Sequence, residues 1–214
     1  MTSFLSGSKQ VRIDHYPPSK AGSAPAIILV HGSGGPFHGI DPYAQQAAAF
    51  GVHVFGLHYF DRTGHSWVYP SQIEPFFLEW LETVKDAVSF VATQPGVDTR
   101  RIGLLGFSLG AYLSLSLATQ DSRIAAVAEL FGGLPDHFIK DAGNLPPVLV
   151  LHGGQDHTVP VKEAHTLERL LKQHGVPCQI KIYPEQGHIF HGLAQLDAMR
   201  RVVNFFRKYL FKAA

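Results

Sequence analysis

Gly106-Phe107-Ser108-Leu109-Gly110 is a G-x-S-x-G pentapeptide set between a short apolar run, Arg101 to Leu105, and a helix-like stretch, Ala111 to Ala118. A strand that turns sharply into a helix holds its serine in a constrained backbone conformation, with the hydroxyl projecting beyond the sheet. Glycines flank such a serine because a β-carbon there would strike the neighbouring helix or strand. The hydroxyl becomes a nucleophile only when a base takes its proton, and histidine suits that task near neutral pH. The imidazole in turn needs a carboxylate to hold its tautomer and balance its cation.

Both partners are available further along the chain. Asp156 lies in His152-Gly153-Gly154-Gln155-Asp156-His157-Thr158-Val159-Pro160, and His188 in Tyr183-Pro184-Glu185-Gln186-Gly187-His188. Each falls just past a strand-like segment. Asp156 has a competing role as cap of the helix that starts near Pro160. The rival acids Asp121, Asp141 and Asp197 do not follow a strand at the needed point, and His191 reads as a pocket or cap residue. Acyl transfer also requires backbone donors for the oxyanion. The amide of Leu109, directly after the nucleophile, is one. The glycine-rich His31-Gly32-Ser33-Gly34-Gly35 offers the other, with Ser33 favoured and Gly34 as the alternative.

These residues need a scaffold that brings distant segments to one edge. Lys9 to Tyr16 alternates as a half-exposed strand, and Ala26 to Val30 is a continuous apolar strand buried on both faces. Tyr43 to Phe50 follows as a helix, introduced by Asp41-Pro42 and stopped by Gly51, and Val52 to His58 as a strand. Glu74 to Thr93 is helical, with Phe77, Trp80, Leu81, Val84, Ala87, Val88 and Val91 on one face. Beyond the serine come strands at Ile124–Leu130, Pro147–Leu151 and Gln179–Tyr183, a helix at Val161–His174, and a final helix at Leu193–Leu210. In that last helix Leu196, Val203, Phe206 and Leu210 are expected inward. Strands alternating with helices predict a mostly parallel sheet covered on both faces, with ligands bound beyond the carboxyl ends of the strands.

Composition bounds the rest. The chain has 214 residues, 45% of them hydrophobic and 16% charged, as one globular domain over 1–214 would. A net charge of +1 without basic runs argues against nucleic acid or an anionic membrane as partner. The lone cysteine, Cys178, excludes an intrachain disulfide and fits a reducing compartment. No signal peptide or membrane-spanning run is read, so a cytoplasmic location is the expectation. The thirteen histidines show no metal-binding spacing; His53 and His58 border a strand, and His65, His137, His165 and His174 are scattered.

The chain resembles an α/β-hydrolase and, within that fold, is similar to the dienelactone hydrolase family. The resemblance runs from Ala26 through the last helix. Val30-His31-Gly32-Ser33-Gly34-Gly35, the pentapeptide around Ser108, the His152–Pro160 segment and Gln186-Gly187-His188 carry it. It implies the chain order Ser108, Asp156, His188, and no metal or organic cofactor. One departure stands out. The enzymes that name the family use a cysteine nucleophile, whereas position 108 is serine. About sixteen residues, Phe131 to Pro146, join two core strands, too few for a large lid, so an open, shallow site is expected.

Substrate contacts are less defined. Arg62 could grip a substrate carboxylate or brace its loop through an ion pair. Phe37, His38, Tyr59, Phe60, Trp67, Phe131 and Phe190 are candidates for an apolar acyl pocket, or for core packing. His31 and His152 read as structural histidines bonded to loop backbone. The function expected is cleavage of a small-molecule carboxylic ester, lactone or thioester through an acyl-enzyme, by a monomer or homodimer. The alternatives are a peptidase-like hydrolase of the prolyl oligopeptidase type and a non-catalytic ligand-binding protein on the same fold.

Overall fold

A computed structural model describes residues 2–36 and 41–211. Its centre is an eight-stranded sheet. Strands β3 (Ala24–Val30) and β5 (Val97–Phe107) lie side by side in parallel near the middle, with every residue of β3 buried. On one side of this pair, β6 (Ile124–Leu130), β7 (Val148–Gly153) and β8 (Cys178–Tyr183) follow in parallel order. On the other side β4 (His53–Leu57) runs parallel to β3. Beyond it β2 (Lys9–Tyr16) and β1 (Thr2–Ser6) complete the sheet as an antiparallel edge. The alternation of Val11 and Ile13 with polar neighbours places β2 in this position, because only one face of it needs covering.

Helices α2 (Ile73–Ala92), α3 (Leu109–Ala118) and α4 (Lys162–Gln173) cover one face. Helices α1 (Asp41–Ala49) and α5 (Gly192–Leu210) cover the other. Trp80, Val84, Val88 and Val91 form the inward stripe of α2, against Leu113, Leu115 and Leu117 of α3. Helix α3 is apolar on nearly all sides because it is buried between the sheet and α2. Its Ser114 hydroxyl meets the burial requirement by donating to the Gly110 carbonyl at 2.7 Å.

One strand is added and one expectation changes. Thr2–Ser6 is a strand, which its short and mostly exposed sequence does not announce. On α5, Leu196 and Val203 point outward, at 62% and 46% exposure, whereas Ala198, Phe205, Phe206 and Leu210 face the sheet. Leu196 and Ala198 are roughly 200° apart around a helix, so only one can face inward. The small one wins, because Phe206 must come down onto Gly103 of β5, where any β-carbon would crowd the ring. Segment 131–147 carries 3-10 turns over Asp136–Asn144, anchored by buried Phe138 and Ala142.

Candidate active site

Ser108 occupies the turn between β5 and α3 with φ +53° and ψ −120°. That conformation is costly for a residue with a side chain, on the order of 1–3 kcal/mol, and persists only where the surroundings hold it. Here the Ser108 amide donates to the Leu130 carbonyl at 2.9 Å. The Ser108 carbonyl accepts from Ala111 and Tyr112 at 2.8 and 3.2 Å. The two motif glycines make the turn possible. A methyl at 110 would overlap the carbonyls of Val30 and His31, and one at 106 would lie 2.6 Å from Ala111 Cα.

Asp156 sits three residues past β7, its side chain fully buried. Its Oδ1 accepts the amides of Thr158 and Val159 at 2.8 and 2.9 Å. Its Oδ2 lies 2.8 Å from His188 Nδ1. It does not cap α4, which takes its N-cap from Val161 without a side-chain bond. The His188 Nε2 lies 3.0 Å from Ser108 Oγ. Because a carboxylate only accepts, Nδ1 carries the imidazole proton and Nε2 presents its lone pair to the hydroxyl. A base hydrogen-bonded to a nucleophile and oriented by a buried acid is the geometry of proton abstraction for covalent catalysis.

The loops that carry the acid and the base are stitched together. Gly154 N–H donates to the Tyr183 carbonyl at 2.8 Å and Gln155 N–H to the Gln186 carbonyl at 2.9 Å. His152 is bonded to loop backbone, Nε2 to the Val159 carbonyl at 2.8 Å, and burial lowers its pKa. His31 bonds the Gly32 carbonyl through Nδ1 at 2.8 Å and stacks on Tyr59. Burial pushes its imidazole down to about 4, so it stays neutral and cannot replace His188.

The glycine-rich loop after β3 closes on the nucleophile. A β-carbon on Gly32 would stand 3.2 Å from Ser108 Cβ, and Gly35 N–H returns to the Gly32 carbonyl at 3.1 Å. The Ser33 carbonyl accepts from Val68 at 2.9 Å, tying the loop to the segment that bears half-exposed Trp67. Leu109 opens α3, where an N–H has no intrahelical acceptor. These are the two positions expected to donate to an oxyanion.

Of the pocket candidates, Phe131 reaches the site and Phe190 packs behind it. The Phe131 ring lies 5.1 Å from the His188 ring and 5.0 Å from the Phe190 ring. Phe37 and His38 lie outside the described residues. Tyr59 and Phe60 take the core-packing alternative: both are buried in the core against His31 and Trp80, and the Tyr59 hydroxyl donates to the His31 carbonyl at 3.0 Å.

Arg62 takes the bracing alternative. Its Nε is 2.8 Å from Glu79 and its Nη2 3.3 Å from Glu82, both on α2, and its head packs on the Gly7 turn between β1 and β2. Its partners are acids of α2. Asp61 is paired with Arg12 instead. Two of the rival acids are also engaged, Asp121 with Arg123 and Asp197 with Arg200, Arg201 and Tyr183. His191 is exposed at the N-cap of α5.

Sequence reasoning passed over Glu129. It is fully buried in β6, accepts the Gly132 amide at 2.8 Å, and burial lifts its carboxyl to about 8. One acidic residue within the apolar run Ile124-Ala125-Ala126-Val127-Ala128-Glu129-Leu130 was the available signal. Cys178 lies on β8, partly buried, with its thiol raised to about 11. Among the described residues no cluster of three or more His, Cys, Asp or Glu could hold a metal ion. None of the described helices is long and apolar enough to cross a membrane.

Comparison with known proteins places the chain in a family. A model of the dienelactone hydrolase family matches residues 13–210. A protein of Methylorubrum extorquens, provisionally named a carboxymethylenebutenolidase, is 26% identical over 219 aligned positions, covering 90% of this chain and 75% of its own. A dienelactone hydrolase-like promiscuous phosphotriesterase from metagenomic libraries superposes with a TM-score of 0.85 at 18% identity, covering 97% of this chain and 96% of that one. The acylaminoacyl peptidase of Pyrococcus horikoshii does so with a TM-score of 0.83 at 19% identity, over all of this chain and 42% of its own. An α/β-hydrolase sheet, a family match over nearly its whole length and a G-x-S-x-G turn at the head of α3 together make this chain a hydrolase belonging to the dienelactone hydrolase family.

Proposed function

We propose that the protein is a serine hydrolase that cleaves a small carboxylic ester, lactone or thioester through an acyl-enzyme. The observation that carries this reading is His188 placed between Ser108 Oγ and Asp156 Oδ2, at 3.0 and 2.8 Å. His188 Nε2 removes the hydroxyl proton as Ser108 attacks the carbonyl carbon. The amides of Leu109 and Ser33 receive the oxyanion, and losing one such donor costs on the order of 3 kcal/mol of transition-state stabilisation. The imidazolium, balanced by Asp156, returns the proton to the leaving group. Water then attacks the acyl-enzyme with His188 again as base.

Phe131 lays apolar surface against the imidazole, and Phe190 packs behind it. The relatives named for carboxymethylenebutenolide favour a lactone or other small ester. Serine in place of cysteine at the nucleophile favours oxygen-ester turnover of the ordinary triad type. Arg62 has no part in substrate binding in this reading.

The test is labelling with a fluorophosphonate probe, followed by p-nitrophenyl ester and acyl-CoA hydrolysis. Wild type is expected to label covalently at Ser108 and to turn over short esters, and Ser108→Ala to do neither. Equal labelling of the two proteins rejects the assignment. Hydrolysis of acyl-CoA in preference to the esters moves the substrate to the thioester class.

A further inference from the structure

Glu129 is a buried acid that the proposed acyl transfer does not use. It lies in β6 opposite Gly106 of β5 and Val150 of β7, on the face covered by α3 and α4. Its Oε2 holds the Gly132 amide at 2.8 Å, and its Oε1 has no hydrogen-bond partner among the described residues.

The bond to Gly132 controls an unusual piece of backbone. Phe131, one residue earlier, has φ +52° without being glycine, a conformation that needs outside support. Two bonds supply it: Phe131 N–H to the Leu151 carbonyl at 2.9 Å, and Gly132 N–H to Glu129. The turn also backs directly on the nucleophile, since a β-carbon at Gly132 would stand 3.3 Å from the Ser108 carbonyl oxygen. The ring that this turn projects is the one 5.1 Å from His188.

We propose that Glu129 is a positioning residue, whose carboxyl pins the Gly132 amide and so sets the turn that lays Phe131 on the His188 imidazole. The proposal rests on the hydrolase reading above and deepens it. With its carboxyl at about 8, Glu129 is neutral near pH 7. The groups around it cannot balance a charge. Burial raises Tyr112 of α3 and Cys178 of β8, a charge on Glu129 adds to both, and Glu163 of α4 and Asp156 act on the same tyrosine. None of these is a cation. Ionisation of Glu129 therefore puts an uncompensated negative charge into the buried layer behind Ser108, and opposes the oxyanion that Leu109 and Ser33 receive.

The experiment is the pH dependence of kcat/KM for p-nitrophenyl acetate from pH 6 to 9.5, in wild type, Glu129→Gln and Glu129→Ala. Fluorophosphonate labelling of wild type at pH 7 tests the hydrolase reading by itself. Wild type is expected to lose about fivefold between pH 8 and 9, as a single ionisation near 8 requires. Glutamine still accepts the Gly132 amide and never ionises. Glu129→Gln should keep pH 7 activity within about threefold and lack that descent. Glu129→Ala removes the acceptor and should lower kcat at pH 7 by more than about tenfold with little change in KM. If wild type labels but folded Glu129→Ala keeps kcat within about threefold of wild type, or the Glu129→Gln profile superposes on that of wild type, the role assigned to Glu129 is wrong. Absence of wild-type labelling overturns the hydrolase reading, and this proposal with it.

Discussion

Asp156→Asn separates an orienting acid from a loop brace, because the structure dictates how the amide would lie. Oδ1 of Asp156 is held by two N–H donors, from Thr158 and Val159. An asparagine there must keep its carbonyl oxygen on that side and turn its NH2 toward His188. His152 stands 3.4 Å from the same Oδ2 and spends its Nε2 proton on the Val159 carbonyl, so it offers the amide no acceptor. The amide then donates to His188 Nδ1, moves the ring proton to Nε2, and points an N–H rather than a lone pair at Ser108. Loss of the base by tautomer exchange costs roughly 10⁴ in kcat, about 5.5 kcal/mol of barrier. Crowding the new donor against His152 should cost stability as well, about 1–3 kcal/mol.

The assay is kcat/KM with p-nitrophenyl acetate at pH 7.5, beside a urea unfolding curve and the rate of fluorophosphonate labelling. Hydrolysis and labelling should fall together while the protein stays folded and KM scarcely moves. A folded Asp156→Asn protein within tenfold of wild-type activity would refute the reasoning, leaving Asp156 as a loop brace alone.

Three further outcomes follow from the same contacts. Gly110→Ala places a methyl into the Val30 and His31 carbonyls, which belong to the central strand and its loop and cannot yield. A loss of roughly 3 kcal/mol or more in urea unfolding, or failure to fold, is expected, and near-wild-type stability would contradict the packing. Cys178, its thiol near 11, should resist iodoacetamide at pH 8 in the native protein and react once unfolded. Cys178→Ser should keep kcat/KM within about twofold; a large loss would give the thiol a role in the reaction.

For stability, Glu129 in the folded protein binds a proton that the unfolded chain releases above its ordinary value near 4.5. Its contribution is whole below that value and is lost as pH rises through about 8. Wild type should therefore lose roughly 3 kcal/mol relative to Glu129→Gln between pH 5 and pH 8, read from urea curves at the two pH values. A difference that does not change with pH contradicts a neutral buried acid.

Periodicity and punctuation in the chain were enough to read the parallel strands and their helices. A buried strand such as Ala24–Val30 must be apolar throughout, and turns such as Gly51 and Gly175 must tolerate positive φ. Order along the chain likewise made Ser108, Asp156 and His188 legible, because a parallel sheet delivers each post-strand loop to the same edge. Edge strand Thr2–Ser6 escaped, since an exposed strand needs little apolar pattern.

Tertiary packing decided everything that depends on which partner is nearest. Arg62 could choose between a ligand and an acid until α2 brought Glu79 and Glu82 to it. Tyr59 and Phe60 looked like pocket residues and became core because Trp80 and His31 close over them. On α5 the spacing allowed more than one inward face, and the approach of Phe206 to Gly103 selected it. Glu129 carries no spacing rule at all; its meaning comes from the Gly132 amide, which the fold places against it. Residue type and order set what a side chain can do, while distance and burial, which one dimension does not contain, set what it does.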